Sequence, residues 1–170
     1  MSSENMKAVT VVGSGTMGNG IAHVFAQYGY PVTMCDVKQE FLDRALNTIR
    51  GNLDRQVKKG TLTEDQKAQT LGRIRSSLDL EGGSKGADFV IEAATENEDV
   101  KKQLFKSIDK FAPAGCVIAS NTSSISLTEL AAVTTRPDKV IGMHFMNPVP
   151  VMKLVEVIRG HATSNETYQA

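Results

Sequence analysis

A glycine-rich turn between a short apolar run and a helical segment constrains the fold of this chain more than any other feature. Residues 9–12 lead directly into Gly13-Ser14-Gly15-Thr16-Met17-Gly18. In such a G-x-G-x-x-G turn the first glycine permits a tight turn, the second lets the backbone approach a pyrophosphate, and the third lets the helix pack on the strand. The glycines alone are weak evidence, but a strand-like run precedes them and a helical stripe follows. The sequence therefore predicts a dinucleotide-binding unit whose contacts include Thr16 and Met17.

Apolar runs of strand length alternate with helical periodicity along the rest of the chain, which predicts a mostly parallel sheet covered by helices on both faces. The predicted strands are 8–12, 32–35, 73–78, 89–92, 117–120, 140–144 and 154–158. The predicted helices are 17–28, 39–59, 65–72, 100–111 and 126–133, with a loop around 81–86. The pattern indicates a doubly wound α/β fold of the Rossmann type, with a long helical pair inserted after the second strand.

An acidic residue at the end of the second predicted strand indicates which dinucleotide binds. Asp36 lies 36 − 18 = 18 residues beyond the third glycine. A carboxylate there can accept both ribose hydroxyls and would repel a 2′-phosphate. Because no arginine stands beside it, the sequence favours NAD over NADP. The alternative interpretation is a turn residue at the end of a strand.

A polar segment follows the fourth predicted strand, at the carboxyl end where ligands bind in such sheets. Its sequence is Ala93-Ala94-Thr95-Glu96-Asn97. We expect Glu96 and Lys101 to face the ribose and nicotinamide side of the cofactor. Spacing alone leaves open that they are solvated charges at a helix start.

The segment from 119 to 156 holds the candidate catalytic groups. His144 ends a buried-looking strand, and Glu156 lies 156 − 144 = 12 residues further on, enough for a turn and a return strand. A carboxylate beside an imidazole fixes its tautomer and stabilises the imidazolium that forms when the ring removes a proton. Asn147, between prolines, and Ser123, just past a strand, offer an amide and a hydroxyl nearby. His23, off the apolar stripe of its helix, and His161, in the polar tail, receive no role.

The bulk composition excludes several classes of protein. The chain has 170 residues and a formal net charge of zero, with 19 basic and 19 acidic residues, so one soluble domain is expected and no strong field attracts it to nucleic acid or a membrane. Cys35 and Cys116 lack metal-site or redox spacing and are predicted to be free, buried thiols. No metal site is predicted. The segment 1–7 has no apolar signal core, which favours a cytoplasmic location.

The combination of GSGTMG, Asp36, AATEN, SNTSS and HFMNPVPVMKLVEV resembles the NAD-binding domain of the L-3-hydroxyacyl-CoA dehydrogenase family, and is most similar to its bacterial 3-hydroxybutyryl-CoA branch. The resemblance covers essentially the whole chain, and its last block is far more specific than the glycine motif. It implies that His144 takes the proton of the 3-hydroxyl while hydride passes to NAD, with Glu156 as its partner. It further implies that Ser123 and Asn147 contact substrate and cofactor, and it places Glu96 and Lys101 at cofactor-contacting positions.

The same resemblance gives the long helical pair a role. Asn52, Arg55 and Lys59 lie at i, i+3 and i+7, on one polar face of the helix 39–59. Spacing alone suggests a solvated face. The resemblance implies that this face binds the adenine and phosphate of coenzyme A, and hence that an acyl-CoA is the substrate.

The family also carries an all-helical second domain, which forms the homodimer and closes over the substrate. Residues 1–170 are expected to form only the NAD-binding domain, with the last few residues beginning the second one. The chain is therefore expected to be a truncated protein or a proteolytic fragment with very low turnover. Two alternatives remain open: a related L-gulonate or crystallin-like 3-hydroxyacid dehydrogenase, favoured if Arg55 and Lys59 face solvent and coenzyme A does not bind, and an NAD-binding module without turnover.

Overall fold

A computed structural model describes residues 7–170 of the chain; residues 1–6, where the absence of a signal peptide was predicted, lie outside the described part. The strands are β1 (Val9–Val12), β2 (Val32–Cys35), β3 (Ile74–Ser77), β4 (Phe89–Glu92), β5 (Val117–Ser120), β6 (Val140–Phe145) and β7 (Val155–Arg159). The helices are α1 (Thr16–Gln27), α2 (Gln39–Lys58), α3 (Glu64–Gly72), α4 (Leu80–Ser84), α5 (Glu98–Phe111), α6 (Leu127–Ala132) and α7 (Asn165–Gln169), with a 3-10 turn at Pro137–Lys139.

The strands form one sheet in the order β3-β2-β1-β4-β5-β6-β7. The first six strands are parallel, and β7 pairs with β6 in the antiparallel sense. The strand order reverses between β1 and β4, which is the switch point where such sheets bind ligands. The predicted Rossmann-type fold with a long helical pair after β2 is confirmed.

Helices cover both faces of the sheet, so the central strands are buried on both sides. Alternate residues of β4 belong to opposite cores: Ile91 packs with α1 and α2, whereas Val90 packs with α5 and α6. Strands β1, β4 and β5 are buried at all four positions. This explains why their sequences read as continuous apolar runs.

The helical pair after β2 follows its sequence signals closely. Thr63 caps α3 with a reciprocal capping box, in which its hydroxyl accepts from the Gln66 amide and the Gln66 side chain accepts from the Thr63 amide. The buried stripe of α2 consists of apolar residues at helical spacing. These are Leu42, Ala45, Ile49 and Leu53.

Two local predictions were wrong. The segment 81–86 was expected to be a loop, but residues 80–84 form α4, which Asp79 caps by accepting from the Glu81 amide at 3.0 Å. The glycines of this segment have a low helix propensity, so the sequence does not indicate a helix. Packing favours glycine at position 83, because a side chain there would overlap the sulfur of Cys35. The predicted helix 17–28 includes Tyr28, but α1 ends at Gln27 and the Tyr28 side chain is 79% exposed.

His23 was placed off the apolar stripe of α1, yet it is fully buried. The reason is that α1 packs against both the sheet and the helical pair α2 and α3, which encloses more than one face. Desolvation by burial lowers the pKa of His23, partly opposed by its hydrogen bond to Gln27.

The two cysteines are free and buried, as predicted. Burial raises the pKa of the Cys35 thiol to about 11 and that of Cys116 to about 12, so both thiols are protonated at neutral pH. Over residues 7–170, no helix combines the length and the apolar character required to span a bilayer. The same residues contain no group of three or more His, Cys, Asp or Glu side chains arranged to hold a metal ion.

Candidate active site

An open cleft of about 830 Å³ lies at the switch point between β1 and β4. Its walls come from the glycine turn, the ends of β2 and β4, one face of α2 and the Pro-rich loop after β6. Six of the predicted site residues line this cleft: Gly13, Gly15, Thr16, Asp36, Asn52 and Asn147.

The glycine turn has the shape that a dinucleotide pyrophosphate requires. Gly13 has φ of +96°, and a Cβ atom there would lie 2.7 Å from the Ala93 carbonyl oxygen. A Cβ atom on Gly18 would overlap the Gly13 carbonyl, so this glycine permits the close packing of α1 on β1. A Cβ atom on Gly15 would meet nothing within 4 Å, and no side chain caps the first turn of α1. Open space and free N–H groups therefore coincide at this helix N-terminus, as phosphate binding requires.

The Asp36 carboxylate is held in place at the mouth of this turn. Its Oδ2 accepts from the Ser14 amide at 2.7 Å and from the Ser14 hydroxyl at 2.6 Å, while Oδ1 accepts from the Val37 amide at 2.7 Å. The carboxylate is thus oriented before any ligand arrives. Ser14 was missed from the sequence because the motif gives that position no role.

One stripe of α2 forms a wall of the same cleft. Three of its residues, Phe41, Arg44 and Thr48, line the cleft beside Asn52 and were missed from the sequence, although they share its helical spacing. Arg44 therefore shares the cleft with Asp36. The prediction that no arginine stands beside Asp36 holds for its chain neighbours only.

The predicted coenzyme A residues are Arg55, near the end of α2, and Lys59, the residue just after it, and both lie outside the lining of the cleft. Arg55 donates to the Asn52 amide oxygen, and both cations are exposed. Within residues 7–170 neither of them forms an ion pair. Both therefore face solvent, which agrees with the free-acid alternative, and their positive charge is available to an anionic ligand. Binding of coenzyme A has to decide between the two.

An apolar slot lies in the cleft with Asp36, formed by the region after β3 and the first turns of α5. Its side chains are Leu78, Leu80, Val100 and Leu104. A flat aromatic base can stack in such a slot while its ribose reaches the acid.

His144 and Glu156 are direct partners across β6 and β7. The imidazole Nδ1 lies 2.8 Å from Glu156 Oε2, and the side chains are 23% and 51% exposed. A carboxylate accepts only, so Nδ1 carries the proton and Nε2 remains free to accept one. Asn147, three residues after His144, lines the cleft, so the end of β6 lies next to it.

Ser123 is exposed on the loop after β5, in a separate small hollow beside Ile158 and Arg159. The loop is tied to the end of β6, because the Asn121 amide oxygen accepts from the Phe145 N–H at 2.9 Å. This bond connects the Ser123 loop to the strand that carries His144.

Lys101 does not face the cleft. Its side chain is 1% exposed, and Nζ donates to both Glu92 oxygens, at 2.8 and 2.7 Å. Glu96, 4.0 Å from the same Nζ, has a side chain that is 53% exposed. Neither residue is in the cleft lining. Glu92 was missed because the sequence presents it as the end of an apolar strand.

These features define a class: a doubly wound domain with a cleft at its switch point that suits a dinucleotide, and with a histidine–carboxylate pair on the neighbouring strands. Residues 8–170 match the family described as "3-hydroxyacyl-CoA dehydrogenase, NAD binding domain", and the chain belongs to this family. The cofactor of the family is NAD, as the sequence predicted.

Individual relatives agree with this assignment. The chain is 50% identical to a probable 3-hydroxybutyryl-CoA dehydrogenase of Bacillus subtilis, over 95% of this chain and 56% of the relative. It is 48% identical to the 3-hydroxybutyryl-CoA dehydrogenase of Bradyrhizobium diazoefficiens, over 97% of this chain and 56% of the relative. The crystal structure of (S)-3-hydroxybutyryl-CoA dehydrogenase from Ralstonia eutropha superposes with a TM-score of 0.93 at 51% identity, over 96% of this chain and 57% of that one. The chain thus spans little more than half the length of these relatives.

Proposed function

We propose that this chain is the cofactor domain of an enzyme that interconverts (S)-3-hydroxyacyl-CoA and 3-oxoacyl-CoA, with 3-hydroxybutyryl-CoA and acetoacetyl-CoA as its substrate pair. The observation that carries the proposal is the His144–Glu156 pair next to a cleft that suits a dinucleotide. The names of the most similar relatives support the short-chain substrate.

In this proposal His144 acts as the general base. Its free Nε2 removes the proton of the substrate 3-hydroxyl, and Glu156 stabilises the imidazolium that results. Ser123 and Asn147 orient the reacting oxygen. Bound NAD supplies the acceptor for the hydride from C3. The glycine turn and Asp36 position the dinucleotide, and the Glu96 carboxylate contacts its ribose side.

The coenzyme A part of the substrate is proposed to lie along α2. Arg55 and Lys59, which form no ion pair within residues 7–170, bind its phosphates, and Asn52 contacts it from the edge of the cleft. The free acid L-gulonate offers no such phosphates, so these residues distinguish the two alternative substrates.

The partner and location of the full-length protein are also proposals. Exposed apolar side chains cluster after β6 and on β7, namely Val151, Met152, Leu154, Val157 and Ile158. We propose that a helical domain like that of the family covers them and forms a homodimer. A reducing compartment such as the cytoplasm suits the two free thiols.

The test is NADH oxidation with acetoacetyl-CoA, measured on this chain and on a chimaera that joins it to the remaining part of the Bacillus subtilis relative. We expect both proteins to bind NADH, and the chimaera to turn over far faster because water is excluded from its closed site. L-gulonate with NAD is the control substrate. Oxidation of L-gulonate with no reaction of acetoacetyl-CoA would favour the free-acid dehydrogenase, and NADH binding without turnover by the chimaera would favour the binding module.

A further inference from the structure

One buried hydroxyl connects the loop after β4 with the loop after β5. Thr122, in the loop after β5, is 4% exposed. Its Oγ1 donates to Glu96 Oε2 at 2.8 Å and accepts from the N–H groups of Ser124 at 3.3 Å and Ile125 at 3.1 Å. The Thr122 oxygen therefore binds the Glu96 carboxylate of the loop after β4 and also stabilises the turn of the loop after β5.

This hydroxyl is attached to a rigid base. The Thr122 N–H donates to Ser120 Oγ at 3.2 Å, and Ser120 Oγ donates to Glu92 Oε2 at 2.8 Å. Glu92 is fully buried and also accepts from Lys101 Nζ and from the Ala94 N–H, the latter at 2.7 Å. A buried, fully hydrogen-bonded network of this kind permits little rearrangement.

The two loops carry residues that act on different ligands. Ser123 lies between Thr122 and Ser124, so both of its neighbours are held by the same hydrogen-bonded turn. Glu96 has a side chain that is 53% exposed, and its contacts are the Thr122 hydroxyl and Lys101 Nζ at 4.0 Å. Without the hydroxyl an exposed carboxylate of this length would populate several rotamers.

We propose that Thr122 is a positioning residue, which couples the cofactor-side Glu96 to the substrate-side Ser123 through its hydroxyl. The inference rests on the proposed function for the roles of Glu96 and Ser123. It explains why a threonine hydroxyl is buried where an apolar side chain of the same shape would fit.

The test compares two variants at this position. Thr122→Val keeps the shape and removes the hydroxyl, whereas Thr122→Ser keeps the hydroxyl. We expect Thr122→Val to raise the Kd of NADH about tenfold and to lower the single-turnover rate of NADH oxidation by acetoacetyl-CoA, measured in the chimaera, by about as much. About tenfold is the worth of a hydrogen bond to a charged group. Thr122→Ser should stay within about twofold of the parent chain in both.

A matched control breaks an ion pair in another part of the domain. Asp109 and Arg136 are 2.6 Å apart at the carboxyl end of α5, at the opposite edge of the sheet. Asp109→Asn should lower the melting temperature and leave the NADH Kd unchanged. If Thr122→Ser were as impaired as Thr122→Val, or if Thr122→Val bound NADH like the parent chain, the inference would be overturned.

A double-mutant cycle with Glu96→Ala tests the coupling itself. The effects of Thr122→Val and Glu96→Ala on the NADH Kd should be clearly less than additive, because each substitution removes the same Thr122–Glu96 hydrogen bond. Additive effects would contradict the coupling. These binding measurements do not need acetoacetyl-CoA. A chimaera that binds NADH but does not react with acetoacetyl-CoA would refute the proposed substrate, while the cycle would still decide the role of Thr122.

Discussion

His144 and Glu156 face each other across the antiparallel pair β6 and β7, with Nδ1 of the imidazole 2.8 Å from Oε2 of the carboxylate. Directly opposed residues on adjacent strands have their side chains on the same face of the sheet and close together. The pairing therefore depends on strand register rather than on a flexible loop. A register of this kind keeps the imidazole oriented before the substrate binds.

Removing the base should abolish most of the turnover and little of the cofactor binding. In the chimaera, His144→Ala should lower kcat by about a hundred- to ten-thousand-fold, because that is the usual contribution of general base catalysis. The NADH Kd, from a fluorescence titration, should stay within about twofold, since the His144 side chain does not line the dinucleotide cleft. Glu156→Gln should keep the geometry and still lose rate. Near-normal turnover of either variant would show that the pair is not catalytic.

Asp36 should determine the choice between NADH and NADPH. We expect the parent chain to bind NADH at least about tenfold more tightly, or ~1.4 kcal/mol, because the carboxylate repels a 2′-phosphate. Asp36→Ala should reduce this difference in affinity between NADH and NADPH. Because Arg44 lines the same cleft, we expect the reduction to come from tighter NADPH binding. Ser14→Ala is the control, since it removes a hydrogen bond to the carboxylate and keeps its charge. Tighter binding of NADPH by the parent chain would refute the prediction.

Arg55 and Lys59 should matter for the nucleotide part of the substrate only. Replacing both by Gln in the chimaera should raise the KM for acetoacetyl-CoA about tenfold or more, because two charge-assisted contacts to phosphate are lost. The KM for an acetoacetyl-pantetheine analogue, which lacks the nucleotide, should hardly change. The control replaces Arg50, which lies about 140° around α2 from Arg55, with Gln. Equal effects on both substrates would argue against phosphate binding by this pair.

The buried Lys101–Glu92 pair should contribute to stability. Lys101→Met leaves the Glu92 carboxylate buried without its partner, and should lower the free energy of unfolding by about 3–5 kcal/mol, as urea denaturation would measure. The double variant Glu92→Gln with Lys101→Met should recover much of this loss. If Lys101 instead contacts the cofactor directly, Lys101→Met will weaken NADH binding strongly and leave the unfolding midpoint unchanged.

His23 should make the fold sensitive to mild acid. Burial lowers the pKa of its imidazole below the ordinary value of 6.5, so the unfolded chain binds a proton that the folded chain does not. The stability due to the neutral ring is therefore present above pH 6.5 and lost as the pH falls through the lowered pKa. Thermal unfolding followed by circular dichroism should show a larger loss in Tm between about pH 7 and pH 5 for the parent chain than for His23→Leu. Parallel losses would assign the acid sensitivity to other groups.

The sequence alone determined the parts of this protein that depend on local physics. Strand and helix alternation, the glycine turn and the capping signal of Thr63 are read from neighbouring residues, because side-chain periodicity and backbone freedom act over a few positions. The spacing from Gly18 to Asp36 also predicted the cofactor. Where local propensity and packing disagreed, as in the glycine-containing helix α4, the local signal was misleading.

Only the tertiary structure decided which distant residues meet. It placed Lys101 against Glu92 instead of the cofactor cleft, enclosed His23, and brought Arg44 into the cleft of Asp36. It also joined Glu96 to Thr122, which lie on different loops. The physical reason is that the direction and burial of a side chain depend on how elements pack across the sheet, and charges are stabilised by partners far away in the chain. Spacing along one helix or strand carries no information about such partners.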